Sequence, residues 1–343
     1  MNWPELLSSL VRGEDQPAEA TAWAMEQILN GDATPVQMAG FVVGLRSKGE
    51  TVQELTGLAD MMIEFATPIE IGGPAVDVVG SGGDRSNTVN ISTMAAIVAA
   101  AAGARVVKHG NRAASSACGA ADVLEALGVV LDLAPEVQPQ VVDRVGIGFL
   151  FAPQYHPALR HAAVTRRELG IPTIFNFLGP LANPAQPISQ EVGVADPRMA
   201  ELMAGVFASR GNYGLVVHGG DGLDELTTTT SSTVWVYADG SVVRRELDPL
   251  TLGVPRATIS DLVGGDAVAN AQVVRDVVAG QPGPIRDVVV LNAAAALVAY
   301  GKPSSARLEN DFADELERAR QAIDSGAAQS KLQEWIAVTQ SLR

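Results

Sequence analysis

Apolar positions change their rhythm near residue 70. Before it they recur at helical spacing: Val36–Leu45 carries them three and four residues apart, and Gly49 is placed to stop that helix. Asp15, Thr34 and Thr51 are expected N-caps, with Pro17 and Pro35 at or near first-turn positions. Beyond a linker, Ile71-Gly72-Gly73-Pro74, short β-branched runs alternate with small-residue helices. Ala75–Val79 reads as a strand, and a helix opening at Asn90-Ile91-Ser92-Thr93 runs to Ala102 and stops at Gly103. Arg105–Lys108 reads as a second strand and Ala121–Leu127 as a second helix, ended by Gly128. Strand, loop and helix repeated in that order predict a parallel α/β sheet.

Further strands are expected at Glu191–Val194, Tyr213–His218, Val234–Tyr237 and Ser241–Glu246. Helices are expected at Arg198–Ser209, Ala267–Ala279, Asp287–Tyr300 and Asp311–Ser325. The fold class is therefore α/β. A small all-helical domain, residues 1–70, precedes a large α/β domain, residues 71–343, with a central, mostly parallel sheet flanked by helices.

Composition narrows the setting. Apolar residues at 47% and charged residues at 18% describe a folded chain, not a disordered one. The longest apolar runs, Ala95–Ala104 and Val288–Tyr300, are too short to span a bilayer. The opening Met1-Asn2-Trp3-Pro4-Glu5 lacks the basic stretch and apolar run of a signal peptide, and a single cysteine, Cys118, fits a reducing compartment. A cytoplasmic protein is expected. The net charge of −15 argues against nucleic acid or a membrane as partner, since both call for basic surface. An anionic ligand needs only local cations, because the overall field is screened beyond about 8–10 Å. Lys108, His109 and Arg112, then His156, Arg160, His161, Arg166 and Arg167, supply them.

Ligands of open α/β sheets bind at the carboxyl ends of strands, and three such ends are unusual here. In Gly80–Thr93, glycines let backbone amides approach an anion, and Asn90, Ser92 and Thr93 fall at a helix start where free amides favour phosphate. A tight turn with an ordinary N-cap is the plainer reading of that stretch alone. It is neither a P-loop nor a dinucleotide fingerprint. The second end, Lys108–Ser116, adds cations and hydroxyls, and two such loops on consecutive strands point to a shared anion site. The third, His218–Glu225, carries Asp221, Asp224 and Glu225, which could face solvent or hold Mg²⁺ against a phosphate.

These motifs resemble those of the anthranilate phosphoribosyltransferase family. The resemblance runs over nearly the whole chain. It is carried by Gly80-Ser81-Gly82-Gly83-Asp84, Asn90-Ile91-Ser92-Thr93, Lys108–Ser116, Ala121–Gly128, Phe175–Pro184 and Asp221-Gly222-Leu223-Asp224-Glu225. It implies that Gly80, Gly83, Asp84, Thr88, Asn90, Ile91, Ser92, Thr93, Lys108, His109, Gly110, Asn111, Arg112, Ala113, Ala114, Ser115, Ser116 and Ala120 hold phosphoribosyl pyrophosphate. Gly80, Asn111 and Arg166 would contact anthranilate, with Tyr155-His156-Pro157 bordering its access path. Ser92, Asp224 and Glu225 would bind magnesium, two ions per subunit. The resemblance further implies a homodimer, helices from about 160–185 packing onto the small domain, and a substrate site at the hinge.

The implied reaction displaces pyrophosphate from the anomeric carbon of ribose by the amine of anthranilate. Two departures stand out: Ser81 replaces the usual threonine but keeps the hydroxyl, and Ala117-Cys118-Gly119-Ala120 lacks hydroxyls. Ala120 then offers only backbone or van der Waals contact, and a modestly weaker grip is expected. Two other readings share the sequence features: a pyrimidine nucleoside phosphorylase of the same architecture, and a non-catalytic relative that binds nucleic acid. The Asp224-Glu225 pair counts against the first and the acidic charge against the second.

Overall fold

The computed structural model describes residues 1–113 and 117–343, so the expectations for Ala114, Ser115 and Ser116 lie outside the described residues. The chain opens with four helices: α1 (Trp3–Val11), α2 (Ala18–Asn30), α3 (Pro35–Lys48) and α4 (Val52–Glu64). Thr34 and Thr51 cap α3 and α4 through reciprocal bonds with Gln37 and Glu54, which satisfies amides that a helix start leaves free. Asp15 does not cap α2. That helix starts after Pro17, and Asp15 instead pairs with Lys48 at 2.8 Å. Buried Glu54 explains the exchange: it accepts from Gln16 N and Thr51 N and pairs with Lys48, tying the α2 and α4 starts together.

A seven-stranded sheet follows, in the order β3-β2-β1-β4-β5-β6-β7. Its strands are β1 (Val76–Gly80), β2 (Val106–Gly110), β3 (Ile147–Phe151), β4 (Ser189–Gly193), β5 (Tyr213–Gly219), β6 (Ser232–Ala238) and β7 (Ser241–Leu247). The first five are parallel, and β6 runs antiparallel to both of its neighbours, β5 and β7. Side chains alternate between faces as the pleat requires. Val76, Val78, Leu215 and Val217 enter one core, while Val79, Val192 and Val216 enter the other.

The first core is covered by α5 (Ile91–Ala101) and α6 (Ala120–Leu127), then α7 (Gln138–Val145) beside β3. The second is closed by α1–α4, by the short α9 (Ala163–Leu169) and α10 (Leu178–Leu181), and by α11 (Pro197–Ser209), while the short α8 (Ala152–Tyr155) places Tyr155 in a third, smaller cluster with Ala75, Val107, Val142 and Leu150. The chain finishes on the first face with α12 (Ala267–Val278), α13 (Pro284–Tyr300), α14 (Leu308–Asp324) and α15 (Ala327–Ser341). Helix α13 is buried continuously from Val288 to Ala299, as expected of a helix apolar all round. No helix among the described residues is long and apolar enough to cross a membrane.

Strand β3 and helices α7 and α15 were not among the expected elements. β3 is five residues that run straight into α8. For α15 the signal existed: Ala328, Leu332, Trp335 and Val338 are buried at helical spacing. The opening helices share their core with Ala162, Ile174, Phe175, Phe177 and Leu178 from the middle of the chain.

Candidate functional site

β1 is where the strand order reverses, with β2 on one side and β4 on the other, and such a switch point leaves a crevice beyond the strand ends. β1 and β4 finish side by side at Gly80 and Gly193. A Cβ at either would collide with Asp224, so two glycines in register let the Asp224–Glu225 segment lie across the sheet end. Gly82 N donates to Asp224 Oδ2 at 2.6 Å, joining the first and third loops.

A cavity of about 340 Å³ opens there. A larger one, about 540 Å³, lies at the amino ends of β4 and β5 and holds none of the residues singled out above as substrate or metal ligands. Every described residue expected to bind substrate or metal lines the smaller cavity except Ile91. Ile91 is fully buried in the first core and its amide is already bonded to Val89 O, so position N1 of α5 faces inward. Of the expected access-path segment, His156 lines the cavity. Among the described residues Thr93 keeps a buried hydroxyl with no partner at the same helix start.

Lys108 is buried and reaches back along the sheet, donating to Val78 O and to Ser92 Oγ at 3.2 Å. Burial lowers its pKa, and Asp77, Glu191, Glu225 and Asp224 oppose that shift. Register places Lys108, Val78 and Glu191 in one row on one face. Glu191 is pushed up to about 8 by burial, and Asp77 to about 6 for the same cause. Asp77 is held by His109 N at 3.1 Å and Asn183 Nδ2 at 2.8 Å. Neither Asp77 nor Glu191 was singled out from sequence. A charged residue inside an apolar strand was the available clue.

Asp84, Asp224 and Glu225 present oxygens within 4.8 Å of one another. Burial raises all three pKa values; Asp84 then raises that of Asp224, and Asp224 and Asp84 that of Glu225. Glu225 Oε2 is buried without a partner among the described residues. Crowded carboxylates with an orphaned oxygen are the donor set a hard divalent cation satisfies. Asp84, expected from sequence as a donor contact, thus joins the carboxylate pair, while Ser92 sits on the Lys108 ammonium.

The opposite wall differs. Arg166 is half-buried, stacks over Phe175 at 5.4 Å and makes no ion pair among the described residues; burial lowers its pKa. Arg112 lies on the rim, its guanidinium engaged by Asp122 at 3.0 Å and Glu125 at 2.9 Å. His109 Nδ1 lies 3.1 Å from Gly179 O, which can only accept, so Nδ1 carries the proton and Nε2 is bare. Burial, then neighbouring His156, pushes His109 down to about 3, and it is neutral at pH 7. Met62, Leu159, Phe175 and Pro180 complete an apolar end to which the sequence alone gave no role. An anion cradle, a carboxylate cluster and an unpaired guanidinium beside apolar walls can together hold a phosphorylated donor against an aromatic acid.

Known proteins carry the same organisation. Residues 4–66 match the glycosyl transferase family, helical bundle domain, and residues 72–329 the glycosyl transferase family, a/b domain. The chain is 57% identical over 337 residues to the anthranilate phosphoribosyltransferase of Arthrobacter sp. (strain FB24), covering 98% of this chain and 96% of that one. It is 56% identical over 339 residues to that of Thermobifida fusca, covering 99% and 97%. The crystal structure of the Thermus thermophilus enzyme superposes with a TM-score of 0.90 at 39% identity, over 98% and 99% of the two chains. The Saccharomyces cerevisiae enzyme, solved in complex with PRPP and Mg, superposes with a TM-score of 0.88 at 25% identity, over 99% and 98%. With both domains matched and the likeness running end to end, this chain belongs to the anthranilate phosphoribosyltransferase family.

Proposed function

We propose that the protein transfers the phosphoribosyl group of 5-phosphoribosyl 1-pyrophosphate to the amine of anthranilate, releasing pyrophosphate, the second step of tryptophan synthesis from chorismate. The observation that carries this reading is one cavity holding both phosphate loops, Lys108, the three carboxylates and Arg166. Gly80, Gly83, Asp84, Thr88, Asn90, Ser92, Thr93, Lys108, His109, Gly110, Asn111, Arg112, Ala113 and Ala120 take the donor. Gly80, Asn111 and Arg166 take anthranilate. Magnesium is the resident cation, two ions per subunit, held by Asp84, Asp224, Glu225 and Ser92; bound there, it offsets negative charge on the pyrophosphate.

In the reaction the amine lone pair forms the N–C1 bond while the C1–O bond to pyrophosphate breaks and its electrons leave with the oxygen. Lys108 and the amides at the start of α5 stabilise that charge as it develops. Arg166 pairs with the anthranilate carboxylate, with the flat ring against the apolar wall. Holding a weak nucleophile in line is then largely positioning, worth up to roughly 7–11 kcal/mol. The amine attacks neutral and sheds its proton late; no side chain is assigned as a dedicated base.

Residues 1–70, with helices from about 160–185, form the small lobe, and residues 71–343 the donor-binding domain. A cytoplasmic homodimer is the expected form. Anthranilate fluorescence tests the function directly. Its loss should require both phosphoribosyl pyrophosphate and magnesium; no magnesium-dependent loss refutes the proposal.

A further inference from the structure

Three buried asparagines brace the strands and loops that carry the site. Asn183 bonds Asp77 and Val107 O, Asn292 makes a two-way amide pair with Leu226 beside Glu225, and Asn270 serves the first loop. The third arrangement is unusual. Asn90 is the N-cap of α5, and asparagine is among the best N-caps because its oxygen accepts from the first-turn amides. Here it makes no such bond. Its Oδ1 instead accepts from Asn270 Nδ2 at 2.9 Å, and its Nδ2 donates to Cys118 O at 3.0 Å.

Asn270 is itself fixed: it is 2% exposed on α12, and its Oδ1 accepts from Gly265 N at 2.7 Å. The same segment is laced to the first loop by Val89 N to Leu262 O and Gly264 N to Asn87 O. Both amide ends of Asn90 are therefore occupied by elements distant in the chain. The orphaned hydroxyl of Thr93, one turn into α5 and lining the cavity, marks the helix start as built for an outside acceptor.

We propose that Asn270 is a positioning residue for the anion cradle: it holds the Asn90 side chain between α12 and the second loop, and so keeps it from capping α5. The Ser92 and Thr93 amides are thereby left to the ligand phosphate. Without Asn270 the Asn90 oxygen is free to swing onto those amides and compete with the anion. The inference rests on the phosphoribosyl pyrophosphate reading above.

A double-mutant cycle tests it. The wild type, Asn270→Ala, Asn90→Ala and the double variant are titrated calorimetrically with phosphoribosyl pyrophosphate, and with inorganic pyrophosphate to read the cradle without ribose. Asn270→Ala should weaken binding about tenfold, the worth of one well-placed hydrogen bond, while the KM for anthranilate stays put. The double variant should bind no more weakly than Asn90→Ala, because Asn270 acts through Asn90. Asn270→Asp keeps an acceptor for Gly265 N but not the donor, and should lose binding likewise. Should Asn270→Ala fail to fold, Asn270→Asp decides. Unchanged binding in the Asn270 variants, losses that multiply in the double variant, or equal rises in both KM values overturn the inference. A wild type that binds neither anion refutes the functional reading instead.

Discussion

Single side chains divide the cavity into a cationic, an anionic and an apolar wall, and each wall makes a separable prediction. Arg166 has Phe175 beneath it and no carboxylate among the described residues to neutralise it. Its charge is therefore available to anthranilate, and a charge-assisted bond of that kind is worth about 1.5–3 kcal/mol. Arg166→Ala should raise the anthranilate KM on the order of ten- to a hundredfold and leave that for phosphoribosyl pyrophosphate nearly unchanged. Steady-state kinetics with each substrate varied in turn check this, and equal effects on both would remove the assignment. His109 makes a prediction of the opposite kind. Its folded pKa, about 3, lies below the ordinary 6.5, so the ring stays neutral across the physiological range. The anthranilate KM should then show no histidine titration between pH 6 and 8 that His109→Asn abolishes. Arg166 and His109 could be picked out in the sequence because they stand in polar or glycine-containing surroundings. For Asp77 and Glu191 a charge inside an apolar strand was the local clue, and for Asn270 there was none, since the partners lie across the fold: Asn183 meets Asp77 from 106 residues away and Asn270 meets Asn90 from 180.

At the scale of elements, legibility followed locality. Strand–loop–helix units β1–α5 and β2–α6 announce themselves, because hydrophobic period, glycine turn and helix start lie within about thirty residues of one another. Strand β3 does not, because five residues buried against neighbours carry no alternation to read. Nor does sequence say that β4 ends on a glycine for the sake of a loop far along the chain. Gly193 has room only for a hydrogen, with the Asp224 backbone directly above it. Gly193→Ala must push that segment off the sheet end, and overpacking of this kind costs about 1–3 kcal/mol. The expected result is a lower melting temperature and a magnesium half-saturation raised on the order of tenfold. Mn²⁺ binding followed by electron paramagnetic resonance gives a check independent of turnover. A variant with wild-type metal affinity would show that the glycine pair is not what seats the carboxylates.

For the molecule as a whole, two main cores meet across one sheet, and within the second the opening helices are tied to α11 by charge. Arg46 pairs with Asp196 at 2.6 Å, Arg198 with Glu50, and Arg210 with Asp60 at 2.6 Å, each joining α3, α4 or the turn between them to α11 or the residues that flank it. Inside the sheet the balance is different: Lys108 is one buried cation among Asp77, Glu191, Asp224 and Glu225. Such crowding makes stability depend on pH in a defined direction. Glu191 moves from an ordinary 4.5 to about 8 on folding, chiefly through burial. Between those values the folded protein keeps a proton that the unfolded chain has released, so stability falls as pH rises through that window. Below pH 4.5 both states are protonated and the contribution is fully present; above pH 8 it is lost. Glu191→Gln cannot ionise and should escape the decline. Its melting temperature should match the wild type near pH 4.5 and exceed it by several degrees at about pH 8.5. Calorimetric scans across that range decide the matter. Parallel curves for the two proteins would mean that Glu191 is already ionised in the fold, sharing Lys108 with its neighbours.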